Sequence, residues 1–267
     1  MKKIFLLCIL ATAFALKAAF ANAAASDWQD LGGGKARLVA TLDPTSMQLE
    51  AALEVKLEPG WSTYWRYPGS SGIPPRFDFS GSHNLEIKAI HFPAPTLLGD
   101  KTGRYAGYKE RVVFPVSGKI HSAAVPNIDL NLIIGVCSHI CIPAQAKIKI
   151  ESAKLLQSDP TAQQIINLAK MSVPRATNPE TIVKAVTATV DRKLMITIAH
   201  EKTDVPPALF IEGPSEWYLQ PGKLIERVDG NALFSVDLSR APKDTDITAH
   251  QLKYTFVHGS FGVEFER

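Results

Sequence analysis

Two cysteines, Cys137 and Cys141, are separated by three residues and followed by Ile142 and Pro143. Closing so short a loop adds little stability, because the entropy it removes from the unfolded chain is worth only roughly 2 kcal/mol for about five residues. Close thiols are more typical of thiol–disulfide exchange, in which one sulfur resolves the mixed disulfide that the other has formed. The spacing therefore predicts a redox-active disulfide, with an inert structural disulfide as the alternative.

The two sulfurs can meet only if the chain turns between them. In a continuous strand the Cα atoms of Cys137 and Cys141 would be roughly 13 Å apart, at about 3.3 Å per residue. A disulfide needs less than about 7 Å between these atoms. We therefore expect a turn over residues 138–140 near the surface, with Ile142 back in extended conformation because Pro143 follows it.

His139, between the two cysteines, introduces a metal-binding alternative. Cys137, His139 and Cys141 together would suit Cu(I), whereas a closed zinc site needs four ligands and no second Cys/His cluster occurs. In an exchange protein, His139 would be a turn residue that favours the thiolate of a neighbouring cysteine when protonated. The exchange function requires no cofactor.

No hydrolase, metalloprotease or dinucleotide signature accompanies the cysteines. The glycines of residues 32–35 are not a phosphate loop, since no strand precedes them and no Ser or Thr follows Lys35. We interpret them as a flexible lead-in. The sequence thus argues against hydrolase and nucleotide-dependent functions.

Residues 1–25 have the features of a cleaved secretory signal. Lys2 and Lys3 precede an apolar stretch that contains Cys8, and small-x-small sites end at Ala23 and Ala25. No other stretch approaches the roughly 20 apolar residues of a membrane span. We therefore expect a periplasmic protein with no membrane span of its own, in a compartment that permits disulfides.

The net charge gives no indication of a polyanionic partner. The whole chain carries 29 basic and 26 acidic side chains. The predicted leader contains three lysines and no acid, so the mature chain is neutral. Neither nucleic-acid binding nor attachment to an anionic membrane is expected.

Most of the chain has the alternating pattern of β-strands, clearest over residues 49–57. Residues 67–79, rich in Gly and Pro, are predicted to be loop. Alternation stops after residue 150 and resumes near residue 182. We therefore predict an all-β protein of two immunoglobulin-like β-sandwich domains, over residues 26–157 and 176–267.

A short helix is predicted to join the two domains, within a linker over residues 158–175. Ser158 or Asp159 suits the N-cap and Pro160 the first helical position. The apolar stripe would consist of Ile165, Ile166, Leu168 and Ala169. The second domain shows no site, although Trp217 and Tyr218 are expected to be exposed and to form part of an interface.

Three ordered motifs resemble a known family. They are PGWSTYWR at residues 59–66, AGYKERVVFPV at 106–116 and GVCSHICIPA at 135–144. Together they resemble the amino-terminal periplasmic domain of the thiol:disulfide interchange protein DsbD, and more closely the related ScsB-type domain of copper-tolerance proteins. The resemblance covers about residues 30–155. It implies an immunoglobulin-like domain that passes electrons from a membrane-embedded thiol reductase to periplasmic thioredoxin-like proteins.

The resemblance also implies roles for individual residues. Cys141 matches the cysteine that attacks the partner's disulfide, and Cys137 matches the resolving cysteine. The cap loop that shields the pair in the family corresponds to about residues 97–108. The residues implied around the pair are Leu97 and Leu98, or alternatively Tyr105, as cap side chains, Asp100 as the acidic group, Tyr64 and Trp65 as flanking or core aromatics, and His139 and Pro143 beside the cysteines.

Two features depart from the family. Its cysteines stand further apart in DsbD, and this chain carries no membrane domain, so the electron donor would be a separate protein. The rival interpretation is a non-catalytic periplasmic binding module: a copper(I) carrier or a β-sandwich interaction or chaperone domain.

Overall fold

The described part of the chain forms four β-sheets that pack in pairs as two sandwiches, which confirms the predicted all-β fold. The computed structural model describes residues 22–43, 45–69, 72–100, 103–155, 160–200, 204–243, 251–259 and 261–267. Cys8 and the N-cap candidates Ser158 and Asp159 lie outside these ranges.

The first sandwich packs two six-stranded sheets around one core. Its strands are β1 (Asn22–Ala25), β2 (Gln29–Asp30), β3 (Gly34–Asp43), β4 (Gln48–Leu57), β5 (Ser62–Tyr64), β6 (Arg76–Asp78), β7 (Leu85–Ile90), β8 (Thr96–Gly99), β9 (Arg104–Lys109), β10 (Arg111–Ile120), β11 (Ile128–Cys137) and β12 (Cys141–Ile150). The first sheet has the order β1-β3-β4-β10-β7, with β2 beside β3. The second sheet has the order β12-β11-β5-β9-β8, with β6 beside β11.

The second sandwich packs two four-stranded sheets, β13-β20-β19-β16 and β14-β15-β18-β17. Its strands are β13 (Arg175–Ala176), β14 (Val183–Ala188), β15 (Lys193–Ala199), β16 (Ala208–Glu212), β17 (Lys223–Val228), β18 (Asn231–Asp237), β19 (Lys253–His258) and β20 (Phe261–Glu266). The helices are α1 (Ser152–Leu155), α2 (Pro160–Met171) and α3 (Pro179–Ile182), and a 3₁₀ turn spans Ser215–Trp217.

Helix α2 packs on the outer face of the first sheet. It buries Ala162, Ile165, Ile166 and Ala169 against Val39, Ala52 and Val113. These helical positions follow the i, i+3, i+4, i+7 pattern of one apolar face. Leu168 does not belong to that face and is 63% exposed, so its predicted place in the buried stripe was wrong.

Packing orders two segments that were predicted to be irregular. The prediction of a flexible glycine-rich lead-in was wrong, because the ring of Trp61 lies on the backbone of Gly33, where a Cβ atom would stand 2.2 Å from it. Only glycine permits this approach. The predicted loop over residues 67–79 contains β6, in which Phe77 pairs with Leu132 of β11.

The prediction that Trp217 is exposed was also wrong. The 3₁₀ turn directs its indole into the core of the second sandwich, where it is 3% exposed. Tyr218 adopts a left-handed conformation at the end of the turn and is exposed, with the guanidinium of Arg240 over its ring.

Candidate redox site

The two cysteines form a disulfide at the tip of the β11–β12 hairpin. Cys137 ends β11 and Cys141 begins β12, and the two residues are register partners with Cα atoms 4.1 Å apart. The backbone N–H of Ser138 donates to the carbonyl of Ile140 at 3.0 Å and closes the connecting turn. The chain therefore turns over residues 138–140, as predicted.

The two cysteines differ in their exposure. Cys137 is 4% exposed, whereas Cys141 is an exposed residue of the hairpin. Ile140 is 67% exposed and Ile142 is 36% exposed, so apolar side chains flank Cys141 at the surface. His139 and Pro143 are exposed as well. A protein that approaches the hairpin would meet Cys141 before Cys137.

Tyr64 of β5 contacts the exposed cysteine directly. Its hydroxyl lies 2.9 Å from Sγ of Cys141, and because a disulfide sulfur carries no proton, the phenol is the donor. Burial raises the pKa of Tyr64, and the neighbouring Tyr105 raises it further. The phenol therefore keeps its proton through the neutral and mildly alkaline range.

A second polar group supports the buried cysteine. The hydroxyl of Ser62 donates to the backbone carbonyl of Cys137 at 3.2 Å and lies 2.8 Å from the hydroxyl of Tyr105. Since Ser62 uses its proton on the carbonyl, Tyr105 donates to Ser62. The rings of Tyr64 and Tyr105 pack with centroids 5.2 Å apart. The two tyrosines thus form one polar cluster behind the disulfide.

Two glycines allow the Tyr64 ring to pack closely against the backbone. A Cβ atom at Gly135 would stand 2.8 Å from the Tyr64 ring and 2.9 Å from Ile73. A Cβ atom at Gly72 would stand 2.9 Å from the same ring and 2.7 Å from Pro68. Gly72 therefore packs closely against the Tyr64 ring.

Trp65, the residue directly after β5, points to the opposite side of the chain from Tyr64. It is fully buried in the core of the first sandwich and packs against Phe210, with ring centroids 5.6 Å apart. This follows from the alternation of side chains along an extended chain. Trp65 is thus placed as a core aromatic.

The β8–β9 hairpin corresponds to the predicted cap loop, and only part of it reaches the disulfide. Tyr105 does so through Ser62, and Leu98, its register partner, is buried behind it. Leu97 points to the other face and lines a groove shared with the second sandwich. Asp100 is exposed in the hairpin turn, where its backbone N–H donates to Gly103.

The cap hairpin is anchored beside the cysteines at its other end. Lys109 pairs with Ser62, which in turn pairs with Cys137. Asp100 lies in the turn next to the Gly99–Arg104 pair. Arg104 is roughly 16 Å along β9 from Lys109, at about 3.3 Å per residue. The structure therefore separates Asp100 from the disulfide.

Sequence reasoning missed three contributors to the site: Ser62, Gly135 and Ile73. Gly135 carried a signal, because a glycine inside a strand often marks a close approach by another group. Ser62 and Ile73 carried none, since their roles depend on contacts between distant segments.

Within the described ranges, no group of three or more His, Cys, Asp or Glu side chains is placed to hold a metal ion.

A comparison with solved structures finds a similar fold. The crystal structure of the N-terminal periplasmic domain of ScsB from Proteus mirabilis is similar, with a TM-score of 0.75, 22% identity, and coverage of 91% of this chain and 97% of that chain. A likeness at this identity shows a shared fold. A search of curated proteins gave no match. No helix in the described ranges is long and apolar enough to cross a membrane.

A family model described as "Thiol:disulfide interchange protein DsbD, N-terminal" matches residues 35–153. The matched segment contains β5, the cap hairpin and both cysteines. The sandwich that carries the disulfide is therefore similar to the DsbD N-terminal domain over nearly all of its strands.

Proposed function

We propose that this protein is a periplasmic thiol–disulfide exchange module, which passes electrons from a membrane-embedded thiol reductase to thioredoxin-like proteins through Cys137 and Cys141. The observation that carries the proposal is the unequal exposure of the two sulfurs in one hairpin. Attack on a partner requires an accessible thiolate, whereas resolution requires only proximity. Cys141 is exposed and Cys137 is buried beside it.

The exchange proceeds in two displacement steps. In the reduced protein, the Cys141 thiolate attacks one sulfur of the partner's disulfide, which forms a mixed disulfide and releases the partner's other sulfur as a thiolate. The Cys137 thiolate then attacks Sγ of Cys141 and releases the second partner sulfur. The partner gains two electrons, and this chain is left with the Cys137–Cys141 disulfide. Electron uptake from the reductase is the reverse sequence.

Tyr64 has a defined part in this chemistry. Its phenol donates to Sγ of Cys141 in the disulfide and is placed to donate to the thiolate when the bond opens. A hydrogen bond to a charged form favours that form. Tyr64 therefore stabilises Cys141 both as the attacking thiolate and as the leaving group.

Tyr64→Phe is expected to reduce ionisation of Cys141 without disturbing the packing of the ring. Hydrogen bonds to charged groups contribute about 1.5–3 kcal/mol, and the exposure of Cys141 favours the lower end of that range, so the pH profile of alkylation should move up by about one unit. The rate of reaction with a disulfide at pH 7 should fall by only about threefold, because a more basic thiolate is a better nucleophile. Iodoacetamide alkylation of the reduced protein measures the profile.

Tyr254→Phe is the matched control for this substitution. Tyr254 is also buried and its pKa is raised by burial to about 12, but it lies in the core of the second sandwich. It should leave the alkylation profile unchanged. A Tyr64→Phe profile that coincides with that of the wild type would contradict the role of the phenol.

The strand order suggests how a partner docks. Cys141 lies on β12, and the described chain pairs no strand with its outer edge. The 4.1 Å Cα separation from Cys137 is that of a non-hydrogen-bonded pair, so the N–H and C=O of Cys141 point outward. Pro143, two residues after Cys141, also points its backbone outward but has no N–H to donate. A strand that pairs with this edge would therefore lose its hydrogen bonds at Pro143. We propose that an extended segment of the partner pairs with β12 at Cys141.

Export by a cleaved leader remains part of the proposal. Of the two small-x-small sites, cleavage after Ala23 would leave Ala24 and Ala25, which pair with Ala40 and Val39 of β3. Ala24 is buried in the core of the first sandwich. We therefore expect the exported protein to begin at Ala24, as the intact mass of periplasmic material would reveal; a mature chain that begins at Ser26 would contradict this.

The proposed function is tested by electron transfer to a thioredoxin-like protein. The fully reduced wild-type protein is mixed with an oxidised thioredoxin, and the thiols of both are followed by the mass added on alkylation. We expect loss of thiols from Cys137 and Cys141 together with an equal gain in the thioredoxin. The Cys137→Ser/Cys141→Ser double variant is the control for non-specific reduction. No transfer by the wild type would favour the rival, a non-catalytic binding module.

A further inference from the structure

The segment that follows Tyr64 runs from the disulfide into the second sandwich. Trp65 donates its backbone N–H to Ala106 at 3.0 Å and stays in the first core. Arg66 and Tyr67, the next residues, bind groups of the second sandwich. The residue that contacts Cys141 is thus only two positions from one held by the other sandwich.

Arg66 is bound by two acids of the second sandwich at once. Its Nε and Nη2 donate to the carboxylate of Glu212 at 2.8 and 2.6 Å, and Nη2 also donates to Glu264 at 2.6 Å. The guanidinium lies over the ring of Trp65, 4.4 Å from its centre. Burial opposes ionisation of Glu264, but hydrogen bonds and charge from Arg66 and Lys253 outweigh it and lower the pKa.

The next residues strengthen the same connection. The hydroxyl of Tyr67 accepts from the backbone N–H of Leu219 at 3.3 Å and donates to the carbonyl of Pro214 at 3.4 Å. Gly69 lies against the side chain of Gln220, which would stand 3.3 Å from a Cβ atom there. The second sandwich therefore contacts the chain directly after β5, at three of the five residues that follow Tyr64.

We propose that the second sandwich is a positioning element of the redox site, which acts through Arg66 to hold the Tyr64 hydroxyl against Cys141. The inference rests on the proposed function and gives the second sandwich a part in it. Arg66 is a positioning residue, because it touches neither sulfur. Its planar guanidinium meets two carboxylates in fixed directions, a geometry that the single ammonium group of lysine cannot reproduce.

Arg66→Lys is the first test, since it keeps the charge and removes the bidentate geometry. The alkylation profile of reduced Cys141 should move to higher pH. The rate with oxidised glutathione at pH 7 should fall by about threefold, as for Tyr64→Phe. In the Tyr64→Phe background, Arg66→Lys should have no further effect on either quantity, because the two residues act on one hydrogen bond.

Glu54→Gln is the matched control. Glu54 forms a comparable three-residue ion cluster, in which one buried acid is bound by Arg37 and Arg111, each at 2.8 Å, but it lies on β4 in the first sheet. It should lower the free energy of unfolding and leave the alkylation profile unchanged. Should Arg66→Lys fail to fold, Glu212→Gln replaces it, since Arg66 keeps Glu264 as a partner and the profile should move in the same direction.

The inference would be overturned if Arg66→Lys, or Glu212→Gln in its place, lost stability without any shift of the alkylation profile. Additive effects of Arg66→Lys and Tyr64→Phe would also overturn it, because they would show that Arg66 does not act through the phenol. These readouts use small reagents only. Failure of the proposed function would appear separately, as absence of transfer from the wild type to a thioredoxin.

Discussion

Replacement of Cys137 by serine is expected to trap the protein on its redox partner. The exposed Cys141 can still attack the partner's disulfide, but no neighbouring thiol remains to resolve the mixed disulfide. Incubation of reduced Cys137→Ser with an oxidised thioredoxin-like protein should give a covalent adduct that survives denaturation without reductant. Mass spectrometry of the adduct should place the bond at Cys141.

The reciprocal variant is the control for this prediction. Cys141→Ser keeps a thiol at Cys137, which is 4% exposed and covered by the hairpin. Little or no adduct is therefore expected. Equal trapping by the two variants would show that exposure in the disulfide form does not decide which sulfur attacks, and the assignment of roles would be lost.

Phe210→Ala is expected to destabilise the first sandwich although Phe210 belongs to β16 of the second. Its ring is buried in the core of the first sandwich and packs on Trp65. Removal of a buried phenylalanine costs about 3–5 kcal/mol in the free energy of unfolding. Because Trp217 is the single tryptophan of the second sandwich, fluorescence of a Trp217→Phe background reports on the first sandwich during urea unfolding.

Phe234→Ala is the matched comparison, since Phe234 is fully buried in the core of the second sandwich. Phe210→Ala should move the first-sandwich transition to lower urea concentration. If Phe210→Ala left that transition at the wild-type position, while circular dichroism showed that Phe234→Ala lost stability as an ordinary core deletion, the contact between Phe210 and the first core would carry no stability.

The long alternating strands and the turn between the cysteines were predictable because both depend on local rules. Residues 49–57 alternate, and β4 runs from Gln48 to Leu57. The disulfide distance forces a turn over residues 138–140 whatever the rest of the fold is. The family resemblance likewise singled out Tyr64, whose contact with Cys141 then appeared in the structure.

Other elements were hidden because they depend on distant partners. β5 has only three residues and follows a Pro-Gly-Trp turn, so it carries too little alternation to be recognised. Arg66 meets acids 146 and 198 residues away in sequence, which no local pattern indicates. Leu168 and Trp217 were misplaced because the helical face and the 3₁₀ turn that orient them are set by packing.

The reduction potential of the Cys137–Cys141 pair tests the central claim most directly. The protein is equilibrated in dithiothreitol and glutathione buffers of known potential, and the reduced fraction is measured by the mass added on alkylation. Structural disulfides have potentials below roughly −300 mV, whereas exchange proteins lie between about −270 and −120 mV. An exchange module predicts a midpoint in the second range. A pair that stays oxidised under conditions that reduce thioredoxin would contradict the account.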